Sequence, residues 1–527
     1  MPQNFLECDR EQVFLMPPSL RDWLPVDHLA WFVIETVAQM DLGAFYEAYR
    51  PDGHGRAAYE PTVMVSLLTY AYSTGVYSSR GIERHCRQDV AYRVITANRV
   101  PDHATVARFV RRHEVALAGL FSEVLELCDR AGLVECGVVA LDGTKLRGNA
   151  TRETSVDFGQ IAQELIGVAI ATDEAEDSEH GDARGDELPE ELQTDQGRRA
   201  WLARELAARR QAKREDKGND EDGDGGESAA DNEPEQERGS GYEFDAEQIV
   251  ARVQGRDGWL LDAKRQLDRD RWQAPRMVKR GREGRLWDAA ERLEQDLAAL
   301  RAGNEAYQRW RATATDRLGR SLSASRRPKP YTPPASPQTT VNLSDPDTHL
   351  MKGHKVFVQG YNAQAVVDPN QIVIAAEVST EPVDFSALEP LMTAARRELE
   401  HANIPSRPRI AIADAGFWNE QQLDKLAADG IAVLVPPESG KRKGQRPGWS
   451  GGRYEWMRRL LASDHGHELY RQRRQVIEPV FGHTKHNRKF TQFHRRGRGA
   501  VRTEWRLLMM THNLTKLYRH QIATASA

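Results

Sequence analysis

The sequence predicts an α/β protein built on a mixed five-stranded sheet with helices on its faces. Short apolar runs at Val138–Leu141, Ile410–Asp414 and Ile431–Val435 have the length and bounds of buried strands. A longer pair, Val356–Val367 and Ile372–Val378, flanks the turn Asp368-Pro369-Asn370-Gln371 and reads as a hairpin. Helical periodicity fills most of the remainder. The resulting order is strand, insertion, hairpin, helix, strand, helix, strand, helix, which is that of a mixed sheet covered by helices.

Residues 1–135 read as an all-helical N-terminal domain. Asp27 is placed to cap a helix over His28–Met40, with Leu29, Phe32, Val33 and Val37 on its apolar side. Pro61 opens a second helix through Tyr70, and Gly81–Ile95 reads as a third. Pro101-Asp102 starts a fourth, His103–His113, with Val106, Phe109 and Val110 inward and Thr105, Arg108, Arg111 and Arg112 outward. Its basic face fits a helix-turn-helix and an ordinary amphipathic helix equally well.

The strand at Cys136–Leu146 ends its apolar run at Asp142-Gly143-Thr144-Lys145. The strand pattern then disappears over residues 151–340, where Leu286, Ala290, Leu293, Leu297 and Leu300 recur at helical spacing and suggest a helical hairpin. Asn219–Ser240, rich in Gly, Asp, Glu and Ser, has the composition of a disordered segment. Arg326–Pro337 carries five prolines and reads as a linker. The 151–340 block is thus an insertion between segments, 136–150 and 341–520, that make one fold when joined.

The chain has 527 residues and a net charge of -5, but its charges are segregated. Residues 441–520 hold 20 Lys or Arg against 5 Asp or Glu, and the acidic excess lies between Asp173 and Glu247. A basic C-terminal segment implies a polyanionic partner. Four cysteines without paired spacing exclude a disulfide framework or a thiolate zinc site. No apolar run approaches membrane-spanning length and the N-terminus lacks a charged-then-apolar leader, so a cytoplasmic location is expected.

One carboxylate, Glu478, stands inside the cationic stretch from Tyr470 to Lys485. That juxtaposition suits a divalent metal beside a phosphate backbone, since the metal needs hard oxygen ligands and the phosphates need Arg and Lys. Asp142 and Asp414 follow apolar strand runs and complete a three-carboxylate set suited to phosphodiester chemistry. Each acid also has a plainer reading, as a turn former or helix cap for the aspartates and as a partner of Arg474 for Glu478. Asp345 and Asp347 are rival ligands that read better as a linker turn. Trp418 reads as core or as a base-stacking residue. Trp505, Leu508, Met509 and His512 read as a buried stripe, and His483 and His486 as phosphate contacts or exposed residues. Asn362 could support the metal site from the neighbouring strand. Pro479 should kink the helix or start a new one at Glu478.

Asp142-Gly143-Thr144-Lys145, Gly360-Tyr361-Asn362-Ala363-Gln364, Asp414-Ala415-Gly416-Phe417 and the run Tyr470, Arg473, Glu478-Pro479-Val480-Phe481-Gly482, Lys485 together resemble the bacterial insertion-sequence DDE transposases, over about Met16 to Tyr518. The subgroup resembled has an N-terminal helical domain and a charged insertion after the first catalytic strand. The resemblance implies a ribonuclease-H-like fold, a catalytic and metal-binding triad of Asp142, Asp414 and Glu478, and two Mg²⁺ (or Mn²⁺) ions. It also implies a Tyr-Arg-Glu-Lys signature at Tyr470, Arg473, Glu478 and Lys485 that touches DNA at the element's ends. Four residues separate Arg473 from Glu478 where three are usual, so Arg474 competes for the Arg role. The implied function is cut-and-paste transposition: terminal inverted repeats are bound with help from Arg108, Arg111 and Arg112, cut, and joined to target DNA. A homodimer would synapse the ends, in the cytoplasm at the nucleoid. A nuclease that does not join, or a silent DNA-binding descendant, are the alternatives.

Overall fold

A computed structural model describes residues 19–49, 58–180, 190–219, 256–273, 281–314, 320–353, 356–439, 444–445 and 449–525. Of the segment Asn219–Ser240, only Asn219 lies within the described residues. The chain divides into two compact units, one formed by residues 1–148 and 351–527 and the other by residues 149–350.

The first unit opens with helices α1 (Leu29–Val37), α2 (Gly43–Tyr46), α3 (Pro61–Ser73), α4 (Ser79–Gln88), α5 (Val90–Ile95), α6 (His103–Arg112) and α7 (Glu114–Arg130). Local chemistry sets their ends. His28, one residue after the expected Asp27, caps α1 by accepting from the Ala30 amide at 3.1 Å. The continuous helix expected over Gly81–Ile95 is divided at Asp89, whose extended backbone and carboxylate cap a fresh start at Ala91 and Tyr92. Asp102 caps α6 through the Thr105 amide at 2.6 Å. Glu83 of α4 reaches the same helix start, accepting from the His103 amide at 2.9 Å.

The sheet follows. Strands β1 (Val138–Arg147), β5 (Phe357–Val367), β6 (Val373–Ser379), β7 (Ile410–Ile412) and β8 (Ala432–Leu434) stand in the order β6-β5-β1-β7-β8. The first two junctions are antiparallel and the last two parallel. This is the ribonuclease-H-like arrangement. A further short strand, β4 (His349–Lys352), also pairs with β5, beside the five expected. Asp142 lies within β1 and not at its end, because β1 continues antiparallel to β5 as far as Arg147↔Gly360. Helices α13 (Leu388–His401), α14 (Glu420–Ala428), α15 (Gly452–Ala462), α16 (Asp464–Gly482) and α17 (Arg498–Ala525) complete the unit.

The N-terminal helices and the sheet share one hydrophobic core. It runs from Ala30 and Val33 through Phe121 and Leu125 to Val366, Ile374, Trp505 and Leu508, and those side chains are buried. The stripe Trp505, Leu508, Met509 and His512 is buried, with His512 the most exposed of the four at 5%. At the centre, Arg506 of α17 forms a bidentate pair with Glu398 of α13, both bonds 2.8 Å. Ser122 of α7 donates to the same carboxylate at 2.8 Å, and Arg506 donates to the Ala118 carbonyl at 2.9 Å. One buried charge pair thus joins three helices.

Helix α16 passes through Pro479 without breaking. Proline cannot donate to the carbonyl one turn back. That carbonyl, on Gln475, accepts instead from Gln371 Nε2 at 3.1 Å, and no new helix starts at Glu478. A five-residue π-helix, His483–Asn487, continues the chain.

The β5–β6 turn contains a buried acid. Asp368 accepts from the Glu135 amide at 2.8 Å and the Ile372 amide at 2.7 Å. Burial nevertheless outweighs these bonds and pushes its carboxyl up to about 7, from an ordinary 3.8. The folded state therefore holds this proton more tightly than the unfolded chain, and the associated stability is present at low pH and lost as pH rises to about 7. Asp142 acts with the same sign up to about 6, whereas the imidazoles of His483 and His512, lowered by burial to about 4 and about 3, act with the opposite sign as pH rises through their ordinary value of 6.5. In urea denaturation from pH 6 to 8, the stability of wild type relative to Asp368→Asn should fall as pH rises; a pH-independent difference between the two would count against this account.

In the second unit, β2 (Ser155–Asp157) pairs with β3 (Thr340–Asn342), accompanied by α8 (Phe158–His180), α9 (Glu190–Gln193), α10 (Asp195–Asn219), α11 (Arg256–Gln273) and α12 (Arg282–Ala312). Helices α11 and α12 pack as an antiparallel hairpin along Ala263, Leu267, Ala299, Ala302 and Ala306. The proline-rich segment is not a free linker: Lys329, Pro328 and Tyr331 carbonyls accept from Tyr307, Arg311 and Gln308 of α12. Asp347 pairs with Arg292 at 2.7 Å and Asp345 is wholly buried, which fits a structural turn and not a rival metal site.

Candidate active site

The last parallel pair between β1 and β7 is Ala140↔Ile412. Asp142 and Asp414 each stand two residues further on, and period-two alternation aims both to the same face of the sheet. Asp142 Oδ1 accepts from the Gly143 amide at 2.8 Å, and its Oδ2 accepts from Arg473 at 2.7 Å. Asp414 caps the short helical turn Ala415–Phe417, accepting from the Gly416 amide at 2.8 Å. Burial pushes the Asp142 carboxyl up to about 6; the Asp414 charge adds to that, while Arg473 and the Gly143 amide oppose it.

Helix α16 supplies the cations. Val476, Ile477 and Val480 are buried, which turns Arg473 on the same face toward the sheet. Burial would lower the Arg473 pKa, but Asp142, Tyr470 and Asp414 together raise it above the usual value. The Tyr470 phenol is itself raised, mainly by burial. Lys485, in the π-helix, donates to the Thr144 hydroxyl of β1, and burial lowers its pKa. Arg474, about 100° further round the helix, has a side chain 79% exposed. Of the two arginines in contention, Arg473 therefore reaches the aspartates and Arg474 faces solvent.

Glu478 is not brought to the aspartates. Its side chain is 57% exposed and lies 4.0 Å from Arg474. Among the described residues, no three His, Cys, Asp or Glu side chains are grouped to hold a metal ion. The pair Asp142–Asp414 nonetheless fits a divalent cation in its donor chemistry. Two hard-oxygen carboxylates share one face, burial and mutual charge disfavour ionisation of Asp142, and Arg473 supplies the opposing charge.

The remaining candidates fall elsewhere. His483 faces His512, ring nitrogens 3.3 Å apart, and burial lowers the two to about 4 and about 3, so both are neutral at pH 7. His486 is exposed. Trp418 is 2% exposed and stacks on Tyr454 at 5.3 Å, a core residue. In α6, Arg108 and Arg111 are exposed, whereas Arg112 donates to the Ala48 carbonyl and covers the Tyr49 ring at 4.6 Å.

Sequence reasoning missed Asp384, in the loop before α13. Its Oδ1 accepts from Asn362 Nδ2 and Gln364 Nε2, both at 2.7 Å, and its Oδ2 pairs with Lys145 at 3.2 Å. A signal was present in the sequence. Asn362 and Gln364 share one face of β5 opposite Lys145 and Gly143, and such a polar set on a buried strand requires an acceptor.

Residues 18–112 match the family described as Transposase domain (DUF772), and residues 338–514 match Transposase DDE domain. No curated protein and no solved structure matches the chain. No helix among the described residues is long and apolar enough to cross a membrane. The two matched segments take in just over half of the chain and most of the catalytic sheet, and the chain belongs to the insertion-sequence DDE transposases.

Proposed function

We propose that this transposase binds the terminal inverted repeats of its element, cuts DNA at the ends and joins the freed 3′-hydroxyl to target DNA. The observation that carries this is the Asp142–Asp414 pair on one face of the sheet beneath a cationic helix, with Arg473 and Lys485 reaching the same strand. Asp142 and Asp414 would hold divalent Mg²⁺ or Mn²⁺, with Glu478 the third ligand if its side chain turns inward. Bound there, such ions make the attacking oxygen nucleophilic and relieve charge on the leaving one. The protein's own part is positional. Arg473 and Lys485 would exchange their carboxylate and hydroxyl partners for DNA phosphates. Tyr470 would keep the Arg473 guanidinium oriented, and Arg108 and Arg111 would contact the end DNA through α6. Two copies would be needed to synapse two ends, and the working location would be the cytoplasm, at the nucleoid.

The test is Mg²⁺-dependent nicking of a duplex carrying the element's end, followed by joining of a precut end. Nicking without joining would support a nuclease, and binding without nicking a silent descendant.

The two arginines make a separate prediction. Arg473→Ala should slow cleavage by roughly a hundredfold to a thousandfold, in the range seen when a positioned electrostatic stabiliser is lost. Arg474→Ala should leave the cleavage rate of bound DNA nearly unchanged and reduce the slope of log affinity against log salt by about one at most. A larger cleavage defect in Arg474→Ala would show that the working helix face is the other one.

A further inference from the structure

The face of β1 behind Asp142 carries an organised polar cluster. Asp142 and Thr144 point to α16 and the π-helix, where Arg473 and Lys485 meet them. Gly143 and Lys145 alternate to the opposite face. There they stand opposite Gln364 and Asn362 of β5 in the ladder. Asp384 joins all of these. Its side chain is 17% exposed, and its two oxygens are shared among two amides and one ammonium.

Gly143 shows how closely this cluster presses on the strand. A Cβ at that position would lie 2.6 Å from Asp384 Oδ1 and 2.7 Å from Asn362 Oδ1. Asp384 and Asn362 therefore rest directly on the backbone one residue after Asp142, and the motif Asp142-Gly143-Thr144 needs its glycine for this close approach. Asp384 also borders the second aspartate's loop, where a Cβ on Gly416 would lie 3.9 Å from Asp384 Cβ and 2.9 Å from Asp414 Oδ1. Asn362 Oδ1 is buried without a hydrogen-bond partner. The Asn362 amide is therefore oriented by its bond to Asp384.

We propose that Asp384 is a positioning residue for the cleavage chemistry. From behind the sheet it braces β1 to β5 and to the Asp414 loop, and so fixes the separation and aim of Asp142 and Asp414. The proposal rests on the reading of Asp142 and Asp414 as the catalytic pair.

The test compares Asp384→Ala, Asp384→Asn and Asp142→Ala in full-length protein, at a temperature well below each melting midpoint. End affinity and cleavage rate at saturating DNA are measured separately. A displacement of the reacting groups by about 1 Å costs on the order of a hundredfold. Asp384→Ala should therefore cut roughly tenfold to a hundredfold more slowly with end affinity within about threefold of wild type. Asparagine keeps an acceptor for the two amides, so Asp384→Asn should recover most of that rate. Wild-type cleavage by Asp384→Ala, with Asp142→Ala inactive, would overturn the proposal alone. Parallel loss of affinity and rate in both Asp384 variants would reduce Asp384 to a folding role and overturn it as well. Cleavage by Asp142→Ala would remove the catalytic reading itself, and this proposal with it.

Discussion

Asp142→Asn is expected to slow cleavage at an element end by roughly a thousandfold or more, the scale of losing a member of a catalytic set, with end binding changed little. Asparagine fills the same space and keeps an acceptor for the Gly143 amide. The loss is therefore assigned to chemistry and not to folding. Burial and the Asp414 charge already work against the ionised form of Asp142, so a neutral replacement removes an unfavourable charge even as it deprives Arg473 of its partner. Binding should persist because the phosphate contacts proposed for Arg473, Lys485 and α6 do not require the carboxylate. Single-turnover cleavage and an equilibrium binding assay on the same duplex check both halves. Cleavage within about tenfold of wild type would be far too small a loss for a metal-holding carboxylate and would take Asp142 out of the catalytic set.

The second large effect is on stability. Glu398→Ala or Arg506→Ala should each cost about 3–5 kcal/mol, because removing one partner leaves a buried charge uncompensated. The pair is 1% and 5% exposed by side chain, and it also satisfies Ser122 and the Ala118 carbonyl. Replacing both by Leu and Met should cost much less than either single change, since no charge is then stranded. Urea denaturation of the two single variants and the double variant decides this. A double variant as unstable as the sum of the singles would mean that the helices depend on the charges and not on the space they fill. The same pair joins α7, α13 and α17, so a mutation here would disturb the N-terminal helices and the catalytic sheet together.

Much of this architecture was legible in the sequence because it is local. Apolar runs bounded by turns marked the five strands of the path β6-β5-β1-β7-β8, and Asp102 announced the start of α6. Asp142 and Asp414 could be placed at neighbouring strands because a parallel register brings equivalent offsets together. What escaped was set by contacts distant in sequence. Pro479 reads as a helix breaker until Gln371, more than a hundred residues away, takes up the Gln475 carbonyl. Residues 1–135 read as self-contained because each helix is amphipathic, whereas their apolar faces are completed by α17 and the sheet. Arg473 and Arg474 are equivalent by composition and are separated only by which face of α16 is buried. Asp384 sits in an unremarkable loop, and its importance follows from three partners on two other strands. Glu478 lies on the exposed side near Arg474, the plainer of the two readings that its one-turn spacing offered.

The ladder between β1 and β5 has one more consequence. These strands are antiparallel neighbours, and the amide of Gly148 still donates to the Gln359 carbonyl at 2.9 Å just as the chain leaves the sheet. In topological terms they are the two arms of an ordinary hairpin whose turn has been replaced by about 200 residues. The entropy of closing a loop grows only with the logarithm of its length. The catalytic core is therefore nearly indifferent to how much polypeptide is spliced there, provided that the inserted segment folds on its own. The alignment of the two aspartates is set by the β1–β5 and β1–β7 ladders and not by the length of chain inserted at that end of the hairpin.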